Sequence, residues 1–371
     1  MSHRIALAAG GTGGHLFPAV ALARELLARG HGVTVLTDPR GAKFDAGVQV
    51  RSVPATRLAG GLFAKLAGAL QMLRGVAAAA WYLKRDRVDL LVGFGGYPSV
   101  APVLAAKLVG VPVILHEQNA VLGRANARLA KYAKLVATSF PEVAGLGGKA
   151  QRLTGNPVRW EAAAARSQPY VASADDAPFG LLVFGGSQGA SVFSDVVPAA
   201  CALLPESLRA RLRVTQQARP ADVAATEAAY QALGVTAEVA PFFQDLPARM
   251  AVSHLVVARA GASTIAEVLA IGRPAVLVPY PHAMDDHQTA NAQAVDEAGG
   301  AWLMPQPAFT PEALARRLET LLTLPECTEK VAVNAHALGR PDAAAHLADV
   351  AESVLRGAQA APSAALRSIA P

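Results

Sequence analysis

Ile5-Ala6-Leu7-Ala8-Ala9 runs straight into Gly10-Gly11-Thr12-Gly13-Gly14-His15, and in the second half of the chain Leu181-Leu182-Val183-Phe184 runs straight into Gly185-Gly186-Ser187-Gln188-Gly189-Ala190. A short apolar run closed by a glycine turn reads as a strand buried on both faces. Outward from the first of these, the residues Ala19 to Ala28 have a helical pattern ended by Gly30, and Val33 to Leu36 form a second strand. Leu90 to Val92, Val111 to Leu115 and Leu135 to Ala137 follow as strands, with a helix over Ala101 to Leu108. Buried strands alternating with crossover helices build a parallel sheet covered on both sides. The pattern restarts after Asn156-Pro157, with further strands at Arg213 to Thr215, Leu255 to Val257 and Ala275 to Val278. The expected fold is therefore α/β, with two Rossmann-like, doubly wound parallel-sheet domains facing a crevice. Residues 1–160 would form the first domain and 161–340 the second. In 341–371, a helix over Asp342 to Leu355 would pack back toward the first domain, ahead of a frayed Ala-, Ser- and Pro-rich tail.

Composition narrows the class of protein. A chain of 371 residues suffices for two separate cores, and 52% hydrophobic with 17% charged residues describes a globular protein. The formal charge of +6 favours anionic partners, while only 5% aromatic residues argue against the stacking platforms of a single-strand nucleic-acid binder. Cys201 and Cys327 fall on separate predicted helices, which fits a reducing cytosol and gives neither a disulfide framework nor a metal cluster. The first apolar run is shorter than a secretory core region. Leu62 to Leu83 is apolar but interrupted by Lys65, Gln71 and Arg74, so it is expected to lie on a membrane and not to cross one.

A third glycine turn, Gly93-Phe94-Gly95-Gly96-Tyr97-Pro98, also follows a predicted strand. Glycine at the carboxyl end of a parallel strand lets backbone amides at a helix start approach a phosphate, so three such turns suggest a large phosphorylated ligand. Tight turning alone is the plainer reading of any one of them. A dinucleotide oxidoreductase, with Asp38 on a ribose, fits poorly: Gly11-x-Gly13 meets Leu16, and Gly93-x-Gly95 meets Pro98, where the fingerprint needs Gly or Ala. No turn closes with the Lys-Ser or Lys-Thr of a Walker loop. The chain has no Asp-x-Asp pair to clamp a metal on a diphosphate, so amides and helix dipoles would have to stabilise a departing diphosphate. No metal and no cofactor are expected.

In the second half, Arg259-Ala260-Gly261-Ala262-Ser263-Thr264-Ile265-Ala266-Glu267 follows the strand His254 to Ala258. Glu267 could accept both hydroxyls of a ribose while Ser263 and neighbouring amides face phosphate. Alternatively, Thr264-x-x-Glu267 is a capping box that satisfies helix amides without any ligand. Asp285-Asp286-His287-Gln288-Thr289-Ala290-Asn291 opens a further helix, either as a plain polar start or as donors and acceptors for sugar hydroxyls.

Taken in order, Gly10 to Ala19, Gly95 to Tyr97, His116-Glu117-Gln118-Asn119, Gly155-Asn156-Pro157-Val158-Arg159, Gly185 to Ala190 and Arg259 to Glu267 resemble the MurG family, the lipid II-forming N-acetylglucosaminyltransferases of peptidoglycan synthesis. The resemblance covers nearly the whole chain and implies the two-domain GT-B fold. It implies UDP-N-acetylglucosamine as donor and undecaprenyl-pyrophosphoryl-N-acetylmuramyl-pentapeptide as acceptor, the latter on the first domain near Gly95, Gly96 and Tyr97. Carried over by motif, donor contacts would be Thr12, Gly13, Gly14, Asn119, Arg159, Ser187, Gln188, Gly189, Ala262, Ser263, Thr264 and Glu267, with Phe243 near the uracil. His287 and Gln288 both stand as sugar contacts.

Transfer from an α-linked nucleotide to a β-linked product implies one in-line displacement with a base at the acceptor hydroxyl. His15 titrates in the right range and follows a glycine turn; Glu117 is the reserve base or its orienting partner. Arg57, Lys65, Arg74 and Lys84 are interleaved with Leu62, Phe63, Leu66, Leu70, Met72, Leu73 and Trp81 without one acidic residue, as suits an anionic membrane surface. An ordinary helix with its apolar side in the core is the alternative. For function, a UDP-sugar 2-epimerase and a non-catalytic sugar-nucleotide binding module are the competing readings; nucleic acid is not an expected partner.

Overall fold

A computed structural model describes residues 2–10, 13–38, 47–55, 61–174, 176–186 and 189–360. Its seven-stranded first sheet is built from β1 (Arg4–Ala8), β2 (Gly32–Thr37), β3 (Gln49–Ser52), β4 (Leu90–Gly93), β5 (Val113–Glu117), β6 (Leu135–Thr138) and β7 (Gln151–Leu153). Helices α1 (Gly13–Ala28), α2 (Leu62–Arg85), α3 (Val100–Val109) and α4 (Arg124–Leu129) lie between these strands in the chain. The strand order is β3-β2-β1-β4-β5-β6-β7 and every pair is parallel.

Alternation along β1 supplies both cores of this sheet. Ile5, Leu7 and Ala9 face a cluster with Leu22 and Leu26 of α1, whereas Ala6 and Ala8 face Ala79 and Leu83 of α2 and Val103 of α3. The strand order reverses between β1 and β4, where Ala8 pairs with Gly93. At such a switch point the crossover helices leave in opposite directions and open a crevice at the strand carboxyl ends. The Gly10 and Gly93–Pro98 turns lie at that place.

The second sheet repeats the plan with six strands: β8 (Phe179–Phe184), β9 (Leu212–Gln217), β10 (Thr236–Ala240), β11 (Leu255–Ala258), β12 (Ala275–Leu277) and β13 (Trp302–Leu303), all parallel, in the order β10-β9-β8-β11-β12-β13. Its switch point lies between β8 and β11, which end at the Gly185 turn and at the Arg259–Gly261 segment. Helices α5 (Trp160–Ala165), α6 (Ser191–Ala202), α7 (Glu206–Arg209), α8 (Val223–Ala232), α9 (Leu246–Ala251), α10 (Ala262–Ile271), α11 (His287–Glu297), α12 (Pro311–Thr323) and α13 (Pro325–Leu338) belong to this half. The final helix, α14 (Ala343–Ala360), places Leu347, Ala348, Ala351 and Leu355 in the first sheet's core beside Leu22 and Leu26. Arg29 ties it down through Asp349 at 2.6 Å and Glu352 at 3.2 Å.

By contact, the chain forms two compact units. One comprises residues 1–118, 122–155 and 343 onward; the other comprises Asn119–Val121 and 156–342. The tail expected to be frayed lies outside the described residues.

The structure departs from the sequence reading at element edges. Helix α1 begins at Gly13, with Pro18 inside it, whereas the sequence reading starts the helix at Ala19. Strands β3, β7, β10 and β13 have no long buried apolar run, since each is half-exposed at or near a sheet edge, and the sequence reading passes over all four. No helix among the described residues is long and apolar enough to cross a membrane. Along α2, Gly68, Gly75, Ala79 and Leu83 form the buried stripe, and a Cβ on Gly75 would meet the Pro54 carbonyl oxygen at 2.2 Å. The large residues Leu66, Leu70, Leu73 and Trp81 point to solvent. The helix thus buries one apolar side, Leu83 included, and leaves a second row of large apolar residues exposed.

Candidate active site

In the first unit, the two glycine turns at the switch point touch through a histidine. His15 lies half-buried in the first turn of α1. Gly96 has φ +70°, and a Cβ there would lie 3.3 Å from both Cδ2 and Nε2 of the His15 ring. Only glycine allows the backbone of this turn and the imidazole to meet so closely. On its other side the turn is held by Ser99 Oγ, which donates to Gly95 O and also lies 2.9 Å from Ala8 O. The Tyr97 hydroxyl donates to Asp38 Oδ2 at 3.1 Å, so the acid that a dinucleotide reading would put on a ribose is engaged with the Gly93–Pro98 turn.

Behind this turn lies a buried polar network from the His-Glu-Gln-Asn segment. His116 is fully buried; burial, the largest effect, together with the nearby His15 pushes its pKa down to about 4. The ring is therefore neutral, donating from Nε2 to Gly155 O at 3.0 Å and accepting at Nδ1 from Gln118 Nε2 at 3.2 Å. Gln118 also donates to Phe94 O at 2.9 Å. The Glu117 carboxylate, 2% exposed, accepts at Oε2 from Gly123 N at 3.0 Å and from Asn126 Nδ2 at 2.7 Å. Gly123 is the N-cap of α4, where a carboxylate complements the helix dipole. Asn126 also donates to His116 O, and its carboxamide lies where a Cβ on Gly95 would stand, at 3.2 Å from Nδ2. Gly95 and Gly96 are thus flanked by Asn126 and His15.

In the second unit the Gly185 turn folds back on itself: a Cβ on Gly185 would meet Ala190 N at 2.5 Å. Gly186 and Gly189 have φ of +83° and +69°. Of the residues named from the sequence, Thr12, Ser187 and Gln188 lie outside the described residues; Gly13 and Gly14 open α1. Helix α10 has Gly261 as N-cap with no side-chain capping bond. Ala262, Ser263 and Thr264 occupy its first turn, whose amides have no intrahelical acceptor. The capping-box reading of Thr264-x-x-Glu267 is therefore wrong: Thr264 is already the third helical residue, and Glu267 is directed elsewhere.

Its partner is Arg159, named from the sequence as a separate donor contact. Arg159 Nε and Nη2 donate to Glu267 Oε1 and Oε2, each at 2.7 Å, a two-pronged pair spanning 108 positions. Burial opposes the charge on Arg159, but the hydrogen bond and the charge of Glu267 outweigh it and hold the guanidinium above the ordinary arginine range. Each carboxylate oxygen has a further lone pair, so the pair fixes Glu267 without exhausting it.

Around this pair the remaining residues divide into contacts and supports. Arg259, which opens the sequence cluster, is 9% exposed and donates to Val278 O, Pro279 O and Gln306 Oε1, bracing the segment after β12. Gln288 Oε1 accepts from Tyr280 N at 2.9 Å, and His287 Nδ1 donates to Met284 O at 2.6 Å. Phe243 is buried with the Arg249 guanidinium 4.4 Å from its ring centre, while neighbouring Phe242 is 65% exposed. Asn119 receives a hydrogen bond from Asn291 at 3.1 Å. Asn126 is a residue the sequence reading did not name as a site member, while Asn291 was named only within the polar run Asp285 to Asn291. Asn126 is a lone amide whose partners are fixed only by tertiary folding, so no spacing could have marked it.

Two parallel sheets, each with a glycine turn at its switch point, and a clamped carboxylate one turn into a helix define a glycosyltransferase that draws on a nucleotide sugar. The chain belongs to glycosyltransferase family 28: the family's N-terminal domain matches residues 5–138 and its C-terminal domain residues 180–347. It is 55% identical over 354 residues, 93% of each chain, to the UDP-N-acetylglucosamine--N-acetylmuramyl-(pentapeptide) pyrophosphoryl-undecaprenol N-acetylglucosamine transferase of Rhodospirillum centenum. It is 50% identical to the protein of the same name from Paramagnetospirillum magneticum, over 93% of this chain and 95% of that one. The crystal structure of Acinetobacter baumannii MurG superposes with a TM-score of 0.78 at 32% identity, covering 95% of this chain and all of the other.

Proposed function

We propose that this protein transfers N-acetylglucosamine from UDP-N-acetylglucosamine to the 4-hydroxyl of lipid-linked N-acetylmuramyl-pentapeptide, lipid I, with inversion, to give lipid II. The observation that carries the proposal is identity of 55% across 93% of both chains with a transferase of that name. The epimerase and binding-module readings have no comparable support.

In this reading Glu267, held by Arg159, accepts the ribose hydroxyls. The first-turn amides of α10 and the Gly185–Ala190 turn face the diphosphate, where their partial charges stabilise the leaving group. His15 takes the proton of the acceptor hydroxyl beside Gly96, and Glu117 orients the surrounding turn or serves as reserve base. Radiolabel transfer from UDP-N-acetylglucosamine to a short-chain lipid I analogue tests the reaction, with label expected in the lipid at an unchanged rate when chelator is present. Absence of label in the lipid would discard the transferase reading. His15→Ala should slow transfer by about 100-fold or more; turnover at the parent rate would remove His15 as base.

In this reading the enzyme works at the cytoplasmic face of the plasma membrane, where it would meet the polyprenyl-linked acceptor, and α2 would be the surface for peripheral binding. Leu66, Leu70, Leu73 and Trp81 are 51–66% exposed, Arg74, Lys84 and Arg85 are exposed among them, and the Arg85 guanidinium lies 4.8 Å from the Trp81 ring centre. Basic residues beside an apolar stripe are drawn to anionic lipid. Arg57 and the side chain of Lys65 lie outside the described residues. Reversing the charge of Arg57, Lys65 and Arg74 should release the protein from anionic vesicles, and unchanged binding would refute this surface.

A further inference from the structure

Asn291 lies in α11, four positions after His287 and three after Gln288, and is completely buried. Its Oδ1 accepts from Ala120 N at 2.8 Å, and its Nδ2 donates to Ala260 O at 3.2 Å and to Asn119 Oδ1 at 3.1 Å. Two of these partners are backbone groups with only one possible role. An amide N–H can only donate and a carbonyl can only accept, so the orientation of the Asn291 carboxamide is fixed. Its second N–H therefore goes to Asn119, and Asn119 must answer with its oxygen. The NH2 end of Asn119 is turned the other way.

We propose that Asn291 is a positioning residue for donor recognition. It ties the Asn119 turn to the segment entering α10 and sets the polarity of the Asn119 amide. Asn119 then presents N–H, and the atom it recognises on the nucleotide sugar is an oxygen, whether hydroxyl, carbonyl or phosphate. This rests on the reading that Asn119 contacts the donor.

The test is calorimetric titration of UDP-N-acetylglucosamine into the full chain and into Asn119→Ala, Asn291→Ala and the double variant. Losing one such hydrogen bond should raise Kd about tenfold in each single variant, with the double variant also about tenfold weaker and stoichiometry unchanged. Parent affinity in Asn119→Ala would sink the underlying reading. Weakened Asn119→Ala beside parent affinity in Asn291→Ala, or a double variant weakened by the product of the singles, would overturn the positioning role alone. So would a fall in stoichiometry at constant Kd, the mark of a residue needed only for folding.

Asn291→Asp provides a second route that keeps the bond from Ala120 N. Its carboxylate should draw the Asn119 NH2 toward itself, turning oxygen to the ligand, and weaken binding about tenfold. Asn119→Asp, which retains an oxygen for Asn291 but has no N–H to present, should bind no better than Asn119→Ala. Parent affinity in either Asp variant would overturn the assigned polarity.

Discussion

At the carboxyl ends of the first sheet, the buried carboxylates of Glu117 and Asp38 accept from neutral donors, Asn126 Nδ2 and the Tyr97 hydroxyl, beside the neutral imidazole of His116 and the Gln118 carboxamide. At those of the second sheet, the buried carboxylate is answered by a guanidinium at 2.7 Å through both of its oxygens. The same βα architecture thus presents two electrostatic environments. In the proposed reaction, the region that takes the proton from a neutral hydroxyl is one whose geometry is held by neutral donors. The region that holds the anionic nucleotide in that reaction has a carboxylate locked in place, so that it would accept ribose hydroxyls without swinging toward the phosphates. The charge of Glu267 would repel a diphosphate if left uncompensated, and Arg159 compensates it.

The sharpest way to break this comparison is to remove one partner of that pair. Glu267→Ala loses the proposed ribose contact and strands Arg159 in a mostly buried site. Breaking a buried pair in this way costs about 3 kcal/mol or more. We expect kcat/KM for UDP-N-acetylglucosamine to fall by about two to three orders of magnitude, mostly through KM, with a clear drop in Tm. Arg159→Ala should show the smaller kinetic loss because the carboxylate remains. If Arg159→Ala left nucleotide affinity unchanged, the pair would be structural and the contrast between the units would lose its functional meaning.

Acidification tests the other side. The His116 pKa of about 4 lies below the ordinary value of 6.5, so the unfolded chain binds a proton that the folded first unit refuses. The stability that follows is complete above pH 6.5 and is lost as pH falls toward 4. The full span is about 3 kcal/mol. Hydrogen exchange in β5 and β6 should accelerate between pH 7 and about pH 4.5, once the intrinsic pH dependence of exchange is removed. That excess should shrink in His116→Gln. An equal excess in the variant would show that His116 does not govern it.

What the sequence made legible follows from what each feature depends on. β1, β4, β5, β8 and β11 are buried on both faces and announce themselves as apolar runs. The glycine turns after β1, β4 and β8 were legible as well, but not that they flank switch points, which depend on the strand order. Edge strands such as β7, Gln-Arg-Leu, have mostly exposed residues, and their partners rather than their composition make them strands. Individual site residues were legible in proportion to their motifs. Glu267 and His15 were named, but that Glu267 meets Arg159 depends on how α10 and the segment before α5 pack, which no local spacing records. The capping-box alternative fails for the same reason: the Thr-x-x-Glu spacing is satisfied, but the N-cap of α10 lies three residues earlier, at Gly261. Asn126 carries no local signal at all, and the run Asp285 to Asn291 does not single out Asn291.

The smallest expected effect is the most selective. Gly96→Ala puts a methyl 3.3 Å from the His15 ring at a residue whose φ is +70°, so the turn and the imidazole must each yield by a few tenths of an ångström. The backbone penalty for a non-glycine residue in this region is about 1 kcal/mol. If His15 is the base, even a small displacement from the acceptor hydroxyl slows proton transfer, and kcat should fall about tenfold. UDP-N-acetylglucosamine affinity should stay at its parent value, because this turn belongs to the first unit and the nucleotide contacts named above belong mainly to the second. Gly95→Ala provides the internal control, since its methyl would meet the Asn126 carboxamide at 3.2 Å instead of His15. Should Gly96→Ala weaken nucleotide binding as much as it slows transfer, the division between a neutral proton-handling region and an anion-holding one would not describe how this enzyme works.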